Sequence, residues 1–262
     1  EVVIYQLRLL KKKTKTNYLC ISGGVGLNCS LNGKISKSKI FKEIFVQPAS
    51  GDAGTSYGAC LVSEIRNNKN VKIKKNLDFY SGFRDNNKQI LSNIKKSGLS
   101  FKDCKKKIFK ETAKLLANGK IVAWYQDGAE FGPRALGNRS ILSRPFPLEM
   151  KDHINKNVKF REYFRPFAPS VLEENLFDYF DINQLSPHML IACQANKKRS
   201  NQIPAVIHVD NSCRVQSVSK TNNFKFWNLI NEFKNTTKVP VLLNTSFNIK
   251  GQPIVNTSKD AL

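Results

Sequence analysis

Apolar and basic positions alternate at roughly helical spacing through residues 1–13. The apolar run that follows, residues 18–22, predicts a short strand ending at Gly23 and Gly24. Residues 44–47 predict a second strand, and the small residues from Ala53 to Ala59, continuing to Ile65, predict a closely packed helix. A Lys- and Asn-rich stretch over residues 67–76 breaks the pattern, so a domain boundary is expected between Asn76 and Lys88, taken as 85/86, before a helix at 90–94. Residues 103–118 are amphipathic, with Ile108, Ala113, Leu115 and Leu116 on the expected apolar face. Gly119 closes that helix, and residues 121–125 enter as a strand. The order recurs later. Residues 223–236 predict a helix with Phe224, Trp227, Leu229, Ile230 and Phe233 as its apolar side, and residues 239–243 a strand running into a polar turn, Asn244 to Asn248. Such alternation predicts an α/β or α+β fold.

With 262 residues, 40% of them hydrophobic and 17 Phe, the chain can bury the core of one large or two smaller domains. Its longest apolar runs are strand-sized, far below the roughly 20 residues that cross a bilayer, so no membrane segment is expected. The N-terminus has neither an initiator Met nor a basic-then-apolar leader, and the chain reads as cut from something longer. Cysteines at 20, 29, 60, 104, 193 and 213 form no CxxC pair, and no His stands at zinc-finger spacing. This argues against a structural zinc or a disulfide framework and for the reducing cytoplasm. The net charge of +23 invites a nucleic-acid partner, but Lys is spread through almost every segment together with Asn and Ile. The arginines embedded in rigid motifs point instead to an anionic small molecule.

Six segments can carry chemistry. Ser22 to Asn28 is a glycine-rich turn after a strand, able to bring backbone amides to phosphate oxygens or merely to supply positive φ. Asp52, between Gly51 and Gly54, could hold a metal or cap a helix. In Glu130 to Ser140, Arg134 and Arg139 stand five apart in a frame of Gly and Pro that can present guanidinium forks to a phosphoryl or carboxylate group. In Lys159 to Ser170 cations alternate with aromatics; Phe160, Phe164 and Phe167 are expected to be mostly core, whereas Arg161 and Arg165 are hard to place there. His208, read as lying on an apolar strand, is either a satisfied core histidine or a functional neighbour of Asp210 and Arg214. Asn244, Thr245, Ser246 and Asn248 would line a pocket just past a buried strand, or form a solvated turn kept open by Gly251.

Taken in order, the segments GGVGLNCSLNGKI, FVQPASGDAGTSYGA, EFGPRALGNRSIL, KFREYFRPFAPSVLEE, HVDNSCRVQ and VPVLLNTSFNIKGQPIV resemble the O-carbamoyltransferase family of nodulation-factor and aminoglycoside-antibiotic enzymes, over nearly the whole chain. The resemblance implies the end of an actin-like ATPase-type domain over residues 1–85, then a YrdC-like α/β domain over 86–262. The YrdC-like part would condense carbamoyl phosphate with ATP to carbamoyl-adenylate, releasing pyrophosphate; the actin-like part would pass the carbamoyl group to a hydroxyl of a sugar, glycan or antibiotic-like acceptor. Asp52 matches the family's metal-binding aspartate (Fe²⁺ or another divalent ion), and Gly23, Gly24, Asn28 and Gly54 its nucleotide-contact loops. The family's two further ligands are histidines of an earlier HxxxH-type motif; His153, His188 and His208 are not so spaced, so that pair is expected in a part of the enzyme missing from this chain. Arg134, Arg165, Arg214 and the turn of Asn244, Thr245, Ser246 and Phe247 match the region for carbamoyl phosphate and ATP with its Mg²⁺, with Lys159, Arg161 and His208 as neighbours. A homo-oligomer stays open. Two rivals stand beside this reading: tRNA threonylcarbamoyl-adenylate-type modification, and a basic RNA-binding protein without catalysis.

Overall fold

A computed structural model describes residues 1–68 and 79–262; most of the Lys-rich stretch, and the start of the expected boundary, lie outside them. The protein is a mixed α/β fold. Its N-terminal region holds helix α1 (Val2–Thr14), strand β1 (Tyr18–Ile21), helix α2 (Cys29–Lys37), strand β2 (Glu43–Val46) and helix α3 (Ala53–Asn67), with β1 and β2 paired in parallel. Helix α3 forms where small residues predict it; it has no fully buried residue, and its close packing is confined to the first turn, at Gly54 against Ala49 O.

Helix α4 (Asn87–Lys96), helix α5 (Ile108–Ala117) and strands β3 (Val122–Tyr125) and β4 (Arg139–Ser143) open the C-terminal region. Helix α6 (Glu149–Asn157) and strand β5 (Ala168–Leu172) follow, then helix α7 (Leu176–Tyr179) and strands β6 (Phe180–Asp181), β7 (Ala192–Ala195), β8 (Ser212–Arg214) and β9 (Gln216–Val218). Helix α8 (Phe224–Thr237), strand β10 (Val241–Ser246) and helix α9 (Ser258–Ala261) complete the chain. The main sheet has the order β3-β4-β10-β5-β9, antiparallel except for the parallel β5–β9 edge, and β6-β7-β8 form a smaller antiparallel sheet.

Helices α5 and α8 pack together beside the main sheet, and each corrects its predicted face. On α5 the buried stripe is Phe109, Thr112, Ala113 and Leu116, at the i, i+3, i+4, i+7 spacing of one face; Ile108 and Leu115, each one position earlier, point outward and are exposed. On α8 Phe226, Leu229, Ile230 and Phe233 take the same spacing, while Phe224 is exposed. Strand β10 runs further than expected, so Asn244, Thr245 and Ser246 are the end of a strand rather than a turn beyond it.

The two regions share a core. Leu19, Ile35, Phe41, Ile44 and Val46 pack with Leu190 and Ile191, and the buried Asn32 Nδ2 donates to the carbonyls of Gly26 and Leu190, both at 2.8 Å. Helix α2 approaches β7 so closely that a Cβ at Gly33 would lie 2.0 Å from the Ala192 oxygen. Residues 79–85 run along the second region: Phe131 N donates to Phe79 O at 2.8 Å, and Asp85 accepts from Tyr125 Oη at 2.8 Å.

Candidate functional site

The site grows from loops at the ends of buried strands. Between β3 and β4, Glu130 Oε1 accepts the backbone N–H groups of Leu136 (2.6 Å), Asn138 (2.8 Å) and Arg139 (3.2 Å), which gathers the Gly-Pro-Arg loop around one carboxylate. Gly137, at φ 106°, allows the turn, and a Cβ there would strike the Phe226 ring at 2.2 Å. From the other side Asn244 Nδ2 donates to Ala135 O (3.2 Å) and Gln216 Nε2 to Leu136 O (2.8 Å). Arg134 therefore sits at the tip of a loop clamped on both flanks.

The loop's two arginines part company. Arg139 is fully buried, stacks on the Tyr125 ring at 3.7 Å, and donates to the carbonyls of Gln126, Asn138, Phe83, Asp127 and Asn256. It cannot present a fork to a ligand, contrary to the expectation for the pair. Arg134 Nε is buried with no hydrogen-bond partner among the described residues, and so is Arg214 Nε at the end of β8. The two guanidinium groups lie close enough that, after burial, Arg134 is the largest influence lowering the Arg214 pKa to about 10; Arg161 adds to it, and the Cys29 thiol partly offsets it.

Arg161 joins this group to a second one. Its Nε donates to Asn155 Oδ1 (2.7 Å) and its guanidinium lies over the Phe167 ring at 4.6 Å. Burial and the neighbouring Arg165 lower its pKa. Arg165 is exposed and paired with Glu162 at 2.8 Å. Beside them a cavity of about 230 Å³ is lined by Lys159, Arg161, Glu162, Arg165, Lys250 and the Ser246–Gly251 turn. Lys159, nearly buried, donates to Ser246 O (2.9 Å), Asn248 O (3.0 Å) and Asn248 Oδ1 (2.6 Å), so its protons hold the turn that walls the cavity. Burial, and then Arg161, lower its pKa to about 8.

The other expected residues fall as follows. Thr245 and Ser246 are half-buried at the end of β10, Asn244 is buried beneath the Arg134 loop, and Phe247 N donates to Arg139 O (3.0 Å). His208 is not on a strand: it opens a tight turn, its N–H donating to Ser212 O (2.9 Å). Burial lowers its pKa, with Asp210 opposing and Arg214 assisting. Gly23 takes φ 91° and Gly24 meets no close neighbour, while Asn28 caps α2 by accepting from Leu31 N at 3.0 Å. Gly54 is required by contact, since a Cβ would lie 2.2 Å from Ala49 O. Gly26 abuts Ser50, and Gly132 abuts Pro48, so the loops at 23–29, 47–54 and 131–134 meet beside Arg214. Gln47 Oε1 and Ser50 Oγ are buried there without partners.

Asp52 is exposed and its side chain caps nothing. Among the described residues no group of three or more His, Cys, Asp or Glu side chains could hold a metal ion, and Asp52 stands without the two histidines expected to share it. Of the aromatics in the fourth segment only Phe167 is core, at 3% exposure; Phe160 and Phe164 stand in solvent on a loop whose backbone is held by the buried Asn155. The sequence reading passed over Glu130, Asn155 and Cys29. An acid inside a Gly-Pro loop is a readable sign of an anchored turn, whereas Asn155 and Cys29 carry no local signal.

Comparison with known proteins matches residues 113–262 to the carbamoyltransferase C-terminus and residues 1–61 to the carbamoyltransferase N-terminus. Over its whole length the chain is 41% identical to nodulation protein NolO of Bradyrhizobium diazoefficiens, covering 48% of that protein. It is 39% identical, again over its whole length, to nodulation protein NolNO of Sinorhizobium fredii, covering 39% of it. An uncharacterized protein of Methanocaldococcus jannaschii is 34% identical over the whole chain, which covers 44% of that relative. The chain thus spans less than half the length of these relatives.

Proposed function

The chain belongs to the carbamoyltransferase family, and from that premise we propose that its arginine cluster and the adjoining cationic cavity bind carbamoyl phosphate and ATP. There water releases inorganic phosphate from carbamoyl phosphate, and the carbamate oxygen attacks the α-phosphorus of ATP to give carbamoyl-adenylate, with pyrophosphate as the leaving group. We read residues 86–262 as a YrdC-like unit for this step. Residues 1–85 are read as part of an actin-like unit that passes the carbamoyl group to an acceptor hydroxyl on a sugar, glycan or antibiotic-like molecule. The cytoplasm is the expected location, in keeping with six unpaired cysteines.

One observation carries the reading: Arg134 and Arg161, from segments far apart in sequence, both act on Arg214, the Nε atoms of Arg134 and Arg214 are buried without a hydrogen-bond partner, and none of the three has a carboxylate ion pair among the described residues. Half-buried cations crowded together are ordinarily neutralised. A site that brings two polyanions together needs unspent guanidinium forks, and positioning with electrostatic stabilisation supplies most of such a rate. In this reading Arg134 and Arg214 take the phosphoryl and carbamoyl oxygens, and Arg161 stands between them and the ATP phosphates. Arg165 and Lys250 line the outer end of the ATP site, where Mg²⁺ enters as part of the nucleotide substrate. Lys159 keeps the Ser246–Asn248 wall in place.

The test is carbamoyl-phosphate-dependent exchange of labelled pyrophosphate into ATP by the full-length protein. Arg214→Ala is expected to lower the exchange by roughly 100- to 1,000-fold, the usual loss on removing one preorganised donor. Undiminished exchange in that variant, or none from the folded wild type, would contradict the proposal.

A further inference from the structure

Within the segment that lines the cationic cavity with Lys159, Arg161, Glu162 and Arg165, the chain exposes three large aromatic rings within five residues: Phe160 at 57%, Tyr163 at 74% and Phe164 at 67%. Rings so exposed ordinarily belong to loose loops, but this loop is pinned. The fully buried Asn155 donates through Nδ2 to the carbonyls of Tyr163 (3.2 Å) and Arg165 (3.0 Å), and its own carbonyl accepts from Arg161 N (3.1 Å). Arg165 N closes a turn on Glu162 O (3.2 Å), and Lys159 N is tied to Ile154 O (2.9 Å). Phe160 adopts φ 46°, a left-handed conformation that disfavours a bulky residue and is kept only where the surroundings enforce it. The rings are held out in water by a rigid frame.

Their neighbours indicate what covers them. Tyr163 and Phe164 lie in sequence between Glu162 and Arg165, both of which line the cavity with Lys159, Arg161 and Lys250. At about 230 Å³ the cavity suits a chain of phosphates and is smaller than the roughly 300–1,000 Å³ of sites that enclose a whole drug-sized ligand. A nucleotide whose phosphates occupy it must leave its base outside, next to this loop. Tyr163 and Phe164 are set at 81° to each other with centroids 6.1 Å apart, so one ring can offer a face to a base while the other meets its edge. A single-stranded nucleic acid would use the same stacking, but it needs cations spaced along a groove, one phosphate per base. Here the cations converge on one cavity at one end of one aromatic loop.

We propose that Tyr163 and Phe164, with Phe160 beside them, are the stacking platform for the purine ring of ATP, and so make the site select a nucleotide over a bare polyphosphate. This inference rests on reading the adjoining cavity as the triphosphate site.

Titration calorimetry of the full-length protein with ATP and with inorganic tripolyphosphate separates the two. Tyr163→Ala or Phe164→Ala is expected to weaken ATP binding roughly tenfold or more, the effect of losing one base–aromatic stack, and to leave tripolyphosphate binding unchanged. Phe177→Ala, which removes an exposed ring elsewhere, should change neither. Unchanged ATP affinity in both variants, or an equal fall for ATP and tripolyphosphate, overturns the platform and leaves the triphosphate site standing. A wild type that binds neither ligand overturns both readings. Binding of an oligouridylate more tightly than ATP, lost in the same variants, would make the loop an RNA platform instead.

Discussion

Arg139 at the base of the β3–β4 loop is fully buried and the group of Arg134, Arg161 and Arg214 at its tip is half-buried, and they use their hydrogen bonds in opposite ways. Arg139 gives every donor to backbone carbonyls of five residues and lays its plane on Tyr125. The tip keeps two buried Nε–H groups unspent and crowds like charges together. A satisfied cation closes a structure; crowded and unsatisfied ones make the folded chain less stable than it could be, and sites that bind are where such a deficit is retained.

The sharpest way to break the comparison is at the base. Arg139→Met strands the carbonyls of Gln126 and Asp127 and leaves those of Phe83 and Asn256 with one donor each, from Ala129 N and Tyr125 Oη, and is expected to destabilise the fold by roughly 3–5 kcal/mol, since each orphaned buried group costs about 1–3 kcal/mol. Urea unfolding checks it, and a loss below ~1 kcal/mol would mean that Arg139 is no keystone. A smaller effect tests the cavity wall. Lys159 has a pKa lowered to about 8, so the free protein loses that proton as pH rises through about 8, whereas a bound polyanion favours keeping it. ATP affinity should therefore be highest below pH 8 and decline above it, and Lys159→Met should bind weakly with a flat profile over that range. Calorimetry at three pH values decides, and a decline that survives in Lys159→Met would assign it to another group.

The same contrast shows what could be read from the chain. Arg134, Arg161, Arg165 and Arg214 were legible because arginine inside Gly- and Pro-stiffened segments has few structural uses. That Arg139 turns inward was not, because its acceptors come from residues 83 and 256, far away in sequence. That Lys159 holds the turn of Ser246 and Asn248 was not legible for the same reason, because those partners are distant in the chain. Helices and strands with a polar face announced themselves, whereas β4 and β5, buried along their whole length, carry no alternation to read. The outward rings of Phe160 and Phe164 escaped notice because composition alone places Phe in a core.

The claim that the tip is built to bind rather than to hold the fold is tested most directly by the melting of wild type and Arg214→Met, each with and without carbamoyl phosphate plus ATP. Removing a cation buried beside Arg134 and Arg161 should leave the ligand-free protein as stable or more so, by up to about 1 kcal/mol, and should abolish the rise in Tm that the ligands give the wild type. A variant that melts well below wild type yet keeps the full ligand-induced rise would show that Arg214 holds the structure and that the anion site lies elsewhere.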